Sequence, residues 1–215
     1  MQPVICLVTD RRRLPGGSET VFIEHIAAAA RAGVHLIQIR ERDLGARALT
    51  RMAASAVDAV RGTRARVLVN DRTDVALAAG AHGVHLRGDS AAARRVREIV
   101  PAGFLIGRSV HSREEAERAA EGGGLDYLMF GTVFETESKP GVRPAGPVTL
   151  AAITSSVPLP VLAIGGIAVS RMAEVAEAGA AGFGAIGLFS GCLPGRLQVV
   201  VGEASLAFDT LSRVP

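Results

Sequence analysis

Eight short runs of β-branched or apolar residues recur along the 215-residue chain, each followed by an Ala-, Glu- and Arg-rich stretch of helical character. The runs span 4–9, 36–40, 67–70, 83–86, 104–110, 127–134, 161–164 and 182–188. The helical stretches span 20–32, 46–61, 73–79, 90–99, 112–121, 148–155, 169–178 and 196–212. Several end at a glycine (Gly33, Gly62, Gly80, Gly122, Gly179), the residue helix C-termini favour. Strict alternation with short links implies parallel strands joined by right-handed crossovers. Eight such units close naturally into an α/β (β/α)8 TIM barrel, predicted here as a single domain over 1–215, with an open doubly wound sheet as the competing arrangement. In a barrel the chemistry belongs just past the C-terminal ends of the strands.

Composition removes several classes. At 48% hydrophobic and 21% charged residues the chain can build a core and is neither disordered nor a disulfide-stapled miniature. Lys139 is the sole lysine, the other 23 basic residues are arginine, and 21 acids leave a formal charge of only +3. That balance argues against a nucleic-acid partner. Cys6 and Cys192 fit no metal or redox spacing and are read as reduced thiols. The N-terminus has no basic leader before an apolar core, and no run approaches 18 apolar residues, so a cytoplasmic location without membrane contact is expected. A homo-oligomer stays open.

The strand ends are polar. In Gln38-Ile39-Arg40-Glu41-Arg42 a side-chain period of two puts Gln38, Arg40 and Arg42 on one face, a set that suits a diphosphate and would otherwise be a solvated loop. Asp71 follows the third run and Asp89 the fourth, and two carboxylates with a substrate phosphate suffice for Mg2+; each could instead cap a helix or pair with Arg72 or Arg87. The segment 134–147 is the longest link without regular pattern, offering Thr136 and Ser138 hydroxyls and the Lys139 ammonium. Gly165-Gly166 after the seventh run and the glycine-rich eighth run, through Ile186-Gly187, stand where barrels form a phosphate cradle, although tight turns would use the same glycines. His25, His35, His82, His85 and His111 show no metal spacing and are read as structural.

Seven ordered blocks carry a resemblance: Leu7-Val-Thr-Asp10, Gln38-Ile-Arg-Glu-Arg42, Val69-Asn-Asp-Arg-Thr-Asp74, Gly83-Val-His-Leu86, Ile106-Gly-Arg-Ser-Val-His111, Gly131-Thr-Val-Phe-Glu-Thr-Glu-Ser-Lys-Pro140 and Ala163-Ile-Gly-Gly-Ile167. Together they resemble the thiamine phosphate synthase superfamily over almost the whole chain. The resemblance implies a synthase that joins a pyrimidinylmethyl diphosphate to a thiazole phosphate (or its carboxylate) with Mg2+ as cofactor and loss of pyrophosphate. It assigns Gln38, Arg40, Arg42, Asn70, Ser109 and Lys139 to the diphosphate substrate, with Arg40 and Lys139 as its catalytic cations. Thr136, Ser138, Gly165, Gly166, Ile186 and Gly187 fall to the thiazole phosphate, and Asp71 and Asp89 to the metal. The family's other branch is a thiazole tautomerase, whose histidine would fall at Thr132, a residue that does not titrate near neutral pH. A non-catalytic relative that binds thiazole or thiamine phosphate, and a Schiff-base aldolase using Lys139, are further alternatives. Departures from the synthase pattern are Arg42 for a usual lysine, Arg108 for a small or apolar residue, Gly187 for a common serine, and a shortened segment around Asp89.

Overall fold

The computed structural model describes residues 2–138, 141–192 and 194–209. Eight parallel strands form a closed barrel in chain order: β1 (Val4–Val8), β2 (Leu36–Ile39), β3 (Arg66–Asn70), β4 (Gly83–Leu86), β5 (Leu105–Val110), β6 (Tyr127–Phe130), β7 (Val161–Ile164) and β8 (Gly182–Ala185). Closure is made by β1 against β8, with Val4 opposite Gly182 and Leu7 opposite Ala185. The helices are α1 (Glu19–Arg31), α2 (Ala46–Ala59), α3 (Thr73–Ala78), α4 (Ala93–Arg97), α5 (Arg113–Glu121), α6 (Gly146–Thr154), α7 (Met172–Glu177), α8 (Gly187–Ser190) and α9 (Leu197–Asp209). The barrel expected from the alternation is the barrel observed, and the doubly wound sheet is excluded by its closure.

Two elements differ from expectation. The sixth strand ends at Phe130, not at 134, because the chain beyond it crosses to the β7 loop: Val133 N–H donates to the Ile164 carbonyl (3.0 Å) and Phe134 N–H to that of Gly165 (3.0 Å). The eighth strand ends at Ala185, and the glycine-rich remainder turns into the single-turn helix α8, too short to leave a helical period in the sequence.

Burial follows the strand period of two. Ile5, Leu7, Ile37, Ile39, Val67, Val69, Ile106, Leu128, Phe130 and Phe183 face the helices and form the large outer core. Cys6, Val8, Leu36, Leu68, Tyr127, Met129 and Leu162 fill the barrel interior. Burial drives the Cys6 thiol up to about 12, so it stays protonated there. Gly107 is required by this filling: a Cβ there would lie 2.1 Å from the Tyr127 ring. At the N-terminal end the residues before β2, β4 and β6 each clamp the preceding strand. His35 Nδ1 accepts from Ile5 N–H (3.2 Å), His82 Nδ1 from Val67 N–H (3.0 Å), and Asp126 Oδ2 from Ile106 N–H (2.7 Å).

Candidate active site

The inward set Gln38, Asn70, His85 and Ser109, each at or near the C-terminal end of its strand, replaces apolar filling with polar groups at the barrel mouth, where a cavity of about 1240 Å3 opens. Its wall includes Gln38, Arg40, Arg42, Asn70, Asp89, Ser109, Thr136, Ser138, Gly165, Gly166, Ile186 and Gly187. Twelve of the fourteen residues singled out in the sequence thus border one space. Asp71 is not among the lining residues, and Lys139 lies outside the described residues.

The β2 loop owes its shape to a buried carboxylate. Glu41 accepts from the Thr9 hydroxyl (2.6 Å), from Arg11 N–H (3.1 Å) and from the Arg11 guanidinium (3.0 Å), while Arg11 also forks onto Asp43 (2.7 and 2.6 Å). Those donors hold the Asp43 carboxyl down to about 2. Thr9 Oγ1 accepts in turn from Arg40 N–H (3.0 Å), so the residues of one face are locked and Arg40 and Arg42 on the other are turned to the cavity. Burial, then the like charge of Arg42, lowers the Arg40 guanidinium from its ordinary value.

Beside them, Gln38 donates through Nε2 to Asn70 Oδ1 (3.0 Å), and its own carbonyl oxygen is buried without a partner. A buried acceptor left open beside a cavity is a recognition group for an amine or amide N–H. His85 bridges Tyr127 (Nδ1 to the phenol oxygen, 2.9 Å) and Ser109 (Nε2 to Oγ, 2.8 Å). Enclosure, then the Arg108 charge, pushes His85 down to about 3, so the ring is neutral. In the tautomer where the buried phenol donates to Nδ1, the ring proton sits on Nε2, Ser109 accepts it, and the serine's own hydrogen is left for a ligand. His111, read from the sequence as structural, borders the cavity; its Nδ1–H donates to the Gly131 carbonyl, while its backbone N–H is held by Glu115 Oε2 (2.8 Å) at the Ser112-capped start of α5.

Asp71 and Asp89 meet on one cation. Arg87 lies 2.7 Å from Asp89 and 3.7 Å from Asp71, whose other oxygen accepts a short hydrogen bond from Ser90 Oγ. Asp71 adopts φ 61°, a left-handed turn that carboxamide and carboxylate residues tolerate. Two oxygen donors gathered on one cationic position fit a hard divalent ion. Among the described residues no group of three or more His, Cys, Asp and Glu side chains accompanies them, so further ligands would come from water and substrate. Arg72, the alternative partner from sequence, is committed to Asp74 (2.5 Å).

Across the mouth, Gly165 (φ +99°) and Gly166 (φ +63°) carry the β7 loop against the β6 loop. A Cβ at Gly166 would lie 2.3 Å from the Glu135 carbonyl, whereas one at Gly187 would meet nothing within 4 Å. The glycines therefore serve close approach at 165–166 and open a bare backbone to the cavity at 187. Thr132, buried between these loops, offers no group that titrates near neutrality. Arg13, on a one-turn 3-10 helix after β1, reaches across to Ser138 Oγ (3.5 Å). It borders the cavity with Arg87 and Arg108; of these three the sequence marks Arg108 as a departure from pattern and Arg87 only as a partner for an Asp, and nothing in it distinguishes Arg13.

Residues 5–188 match the family model described as thiamine monophosphate synthase. The thiamine-phosphate synthase of Roseiflexus castenholzii is 39% identical over 184 residues, 85% of this chain and 79% of that protein. That of Methanoculleus marisnigri is 43% identical over 159 residues, 74% of this chain and 75% of its own. A solved structure of thiamine phosphate pyrophosphorylase from Pyrococcus furiosus superposes with a TM-score of 0.82 at 32% identity, covering 96% of each chain.

Proposed function

The chain belongs to the thiamine monophosphate synthase family, and from that premise we propose that it is a transferase joining 4-amino-2-methyl-5-pyrimidinylmethyl diphosphate to thiazole phosphate, giving thiamine phosphate and pyrophosphate. The observation that carries this reading is one cavity with two anion-binding sides. Arg40 and Arg42 line one, and the bare backbone of the β7 and β8 loops lines the other. Two phosphorylated substrates can enter together, and catalysis is then positioning and charge stabilisation.

The pyrimidine amine fits the open Gln38 carbonyl, and the Ser109 hydroxyl donates to the same ring. Arg40 and Arg42 take the diphosphate, with Lys139 assigned to it by family resemblance. As the methylene C–O bond breaks, its electron pair leaves with the diphosphate, and these cations stabilise the developing charge. The thiazole nitrogen, held through its phosphate by Thr136, Ser138 and the amides around Gly165, Gly166, Ile186 and Gly187, donates its lone pair to the exposed methylene carbon. No protein nucleophile and no proton transfer are needed for that bond. Asp71 and Asp89 would hold Mg2+, which when bound would neutralise diphosphate oxygens.

Incubation with both substrates and Mg2+ tests the reading: thiamine phosphate and pyrophosphate form in equal amounts. Turnover of thiazole carboxylate alone in excess chelator, with no condensation, would overturn it in favour of an isomerase.

A further inference from the structure

Arg108 lies on β5 between Gly107 and Ser109, whose positions face the barrel interior, so its own side chain leaves on the opposite face. The half-buried guanidinium does not end on a carboxylate. Nη1 donates to the carbonyls of Arg87 (3.1 Å), Gly88 (3.0 Å) and Ser90 (3.5 Å), and Nη2 donates to that of Ala91 in a short contact. Four of the five carbonyls from 87 to 91 are thus gathered on one cation, and both terminal nitrogens are committed to the loop. With its carbonyls drawn to one side, the loop presents Arg87 and Ser90 to Asp71, and Arg87 also pairs with Asp89. A short Ser90 N–H to Arg87 carbonyl turn (3.3 Å) and an Arg87 N–H to Ser90 Oγ bond (2.9 Å) complete the coil. Arg108 and the shortened segment after β4, two separate departures in the sequence, are one structural unit.

We propose that Arg108 is a positioning residue that clasps the β4 loop, aims its side chains at Asp71, and so sets affinity for the diphosphate substrate and its divalent ion without affecting the thiazole phosphate. The role presupposes the synthase reading of the cavity. Ordinary surface arginines make no such selective contribution; a clasp acts only on the side of the mouth it holds.

Wild type, Arg108→Ala and Arg108→Lys are compared by three measurements: amide hydrogen exchange, binding of inorganic pyrophosphate with Mg2+ by calorimetry, and the KM of each substrate. In Arg108→Ala, amides of 87–92 exchange faster while those of 131–138 do not, and pyrophosphate binding and the diphosphate KM each worsen about tenfold, the scale seen when the support of a metal ligand is removed. The thiazole phosphate KM stays within about twofold, and Arg108→Lys, with charge but no fork, falls between. Unchanged exchange at 87–92, or equal shifts in both KM values, would overturn the clasp. If Arg108→Ala does not fold, the same split in Arg108→Lys decides. Failure of the wild type to make thiamine phosphate would sink the synthase reading alone, since exchange and pyrophosphate binding still judge the clasp.

Discussion

Gln38 shows how a single side chain can be built for a ligand at the fold's expense. Its carbonyl is buried and unpaired, a condition that costs stability unless something else occupies it. Gln38→Met should therefore leave the melting temperature within a few degrees, because the lost bond to Asn70 is offset by removal of the open acceptor, while kcat/KM for the pyrimidine diphosphate falls about 10- to 100-fold. Steady-state kinetics beside calorimetry checks both halves. Gln38, Arg40 and Arg42 could be placed together from the sequence because a period of two depends only on local backbone geometry. Arg87 could be named only as a bland partner for an Asp, and its position between Asp71 and Asp89 depends on a loop whose shape is set from another strand. His111 carried no spacing signal, since its partner is a carbonyl 20 residues away.

At the scale of elements, the β6 and β7 loops share a seam that glycine alone permits. Gly166→Ala must accommodate a Cβ 2.3 Å from a carbonyl at positive φ, and should cost roughly 2–4 kcal/mol in denaturant unfolding. Gly187→Ala meets open space and should unfold within about 0.5 kcal/mol of wild type, which separates a cavity glycine packed against a neighbouring loop from one that is not. At the other end of the barrel, His82→Ala removes the acceptor of Val67 N–H and should cost about 1–2 kcal/mol with both KM values unchanged. Strands were legible because apolar alternation marks them one by one. The run 127–134 looks like one long strand because Thr132, Val133 and Phe134 are all strand-like and buried, and the pairing that diverts them comes from Ile164 and Gly165. Helix α8 leaves no signal in the sequence because four residues cannot show a 3.6-residue period.

The whole molecule responds to acid through its histidines. Burial lowers His25, His35, His82 and His85, the last to about 3. A histidine depressed below its unfolded value near 6.5 supports the fold fully above that pH, and the support is lost as pH falls towards the folded value. His85 alone should therefore remove about 1.4 kcal/mol per pH unit below 6.5. Urea titrations at pH 7.5, 6 and 5 should show that fall, and His85→Gln should flatten it; an equal slope in the variant would refute the assignment. The single tyrosine of a chain without tryptophan is Tyr127, and it is hydrogen-bonded to His85, which borders the cavity and reaches on to Ser109. Tyrosine emission from the native protein should therefore change when a ligand engages Ser109 or His85, a prediction that a fluorescence titration with substrate checks without any label.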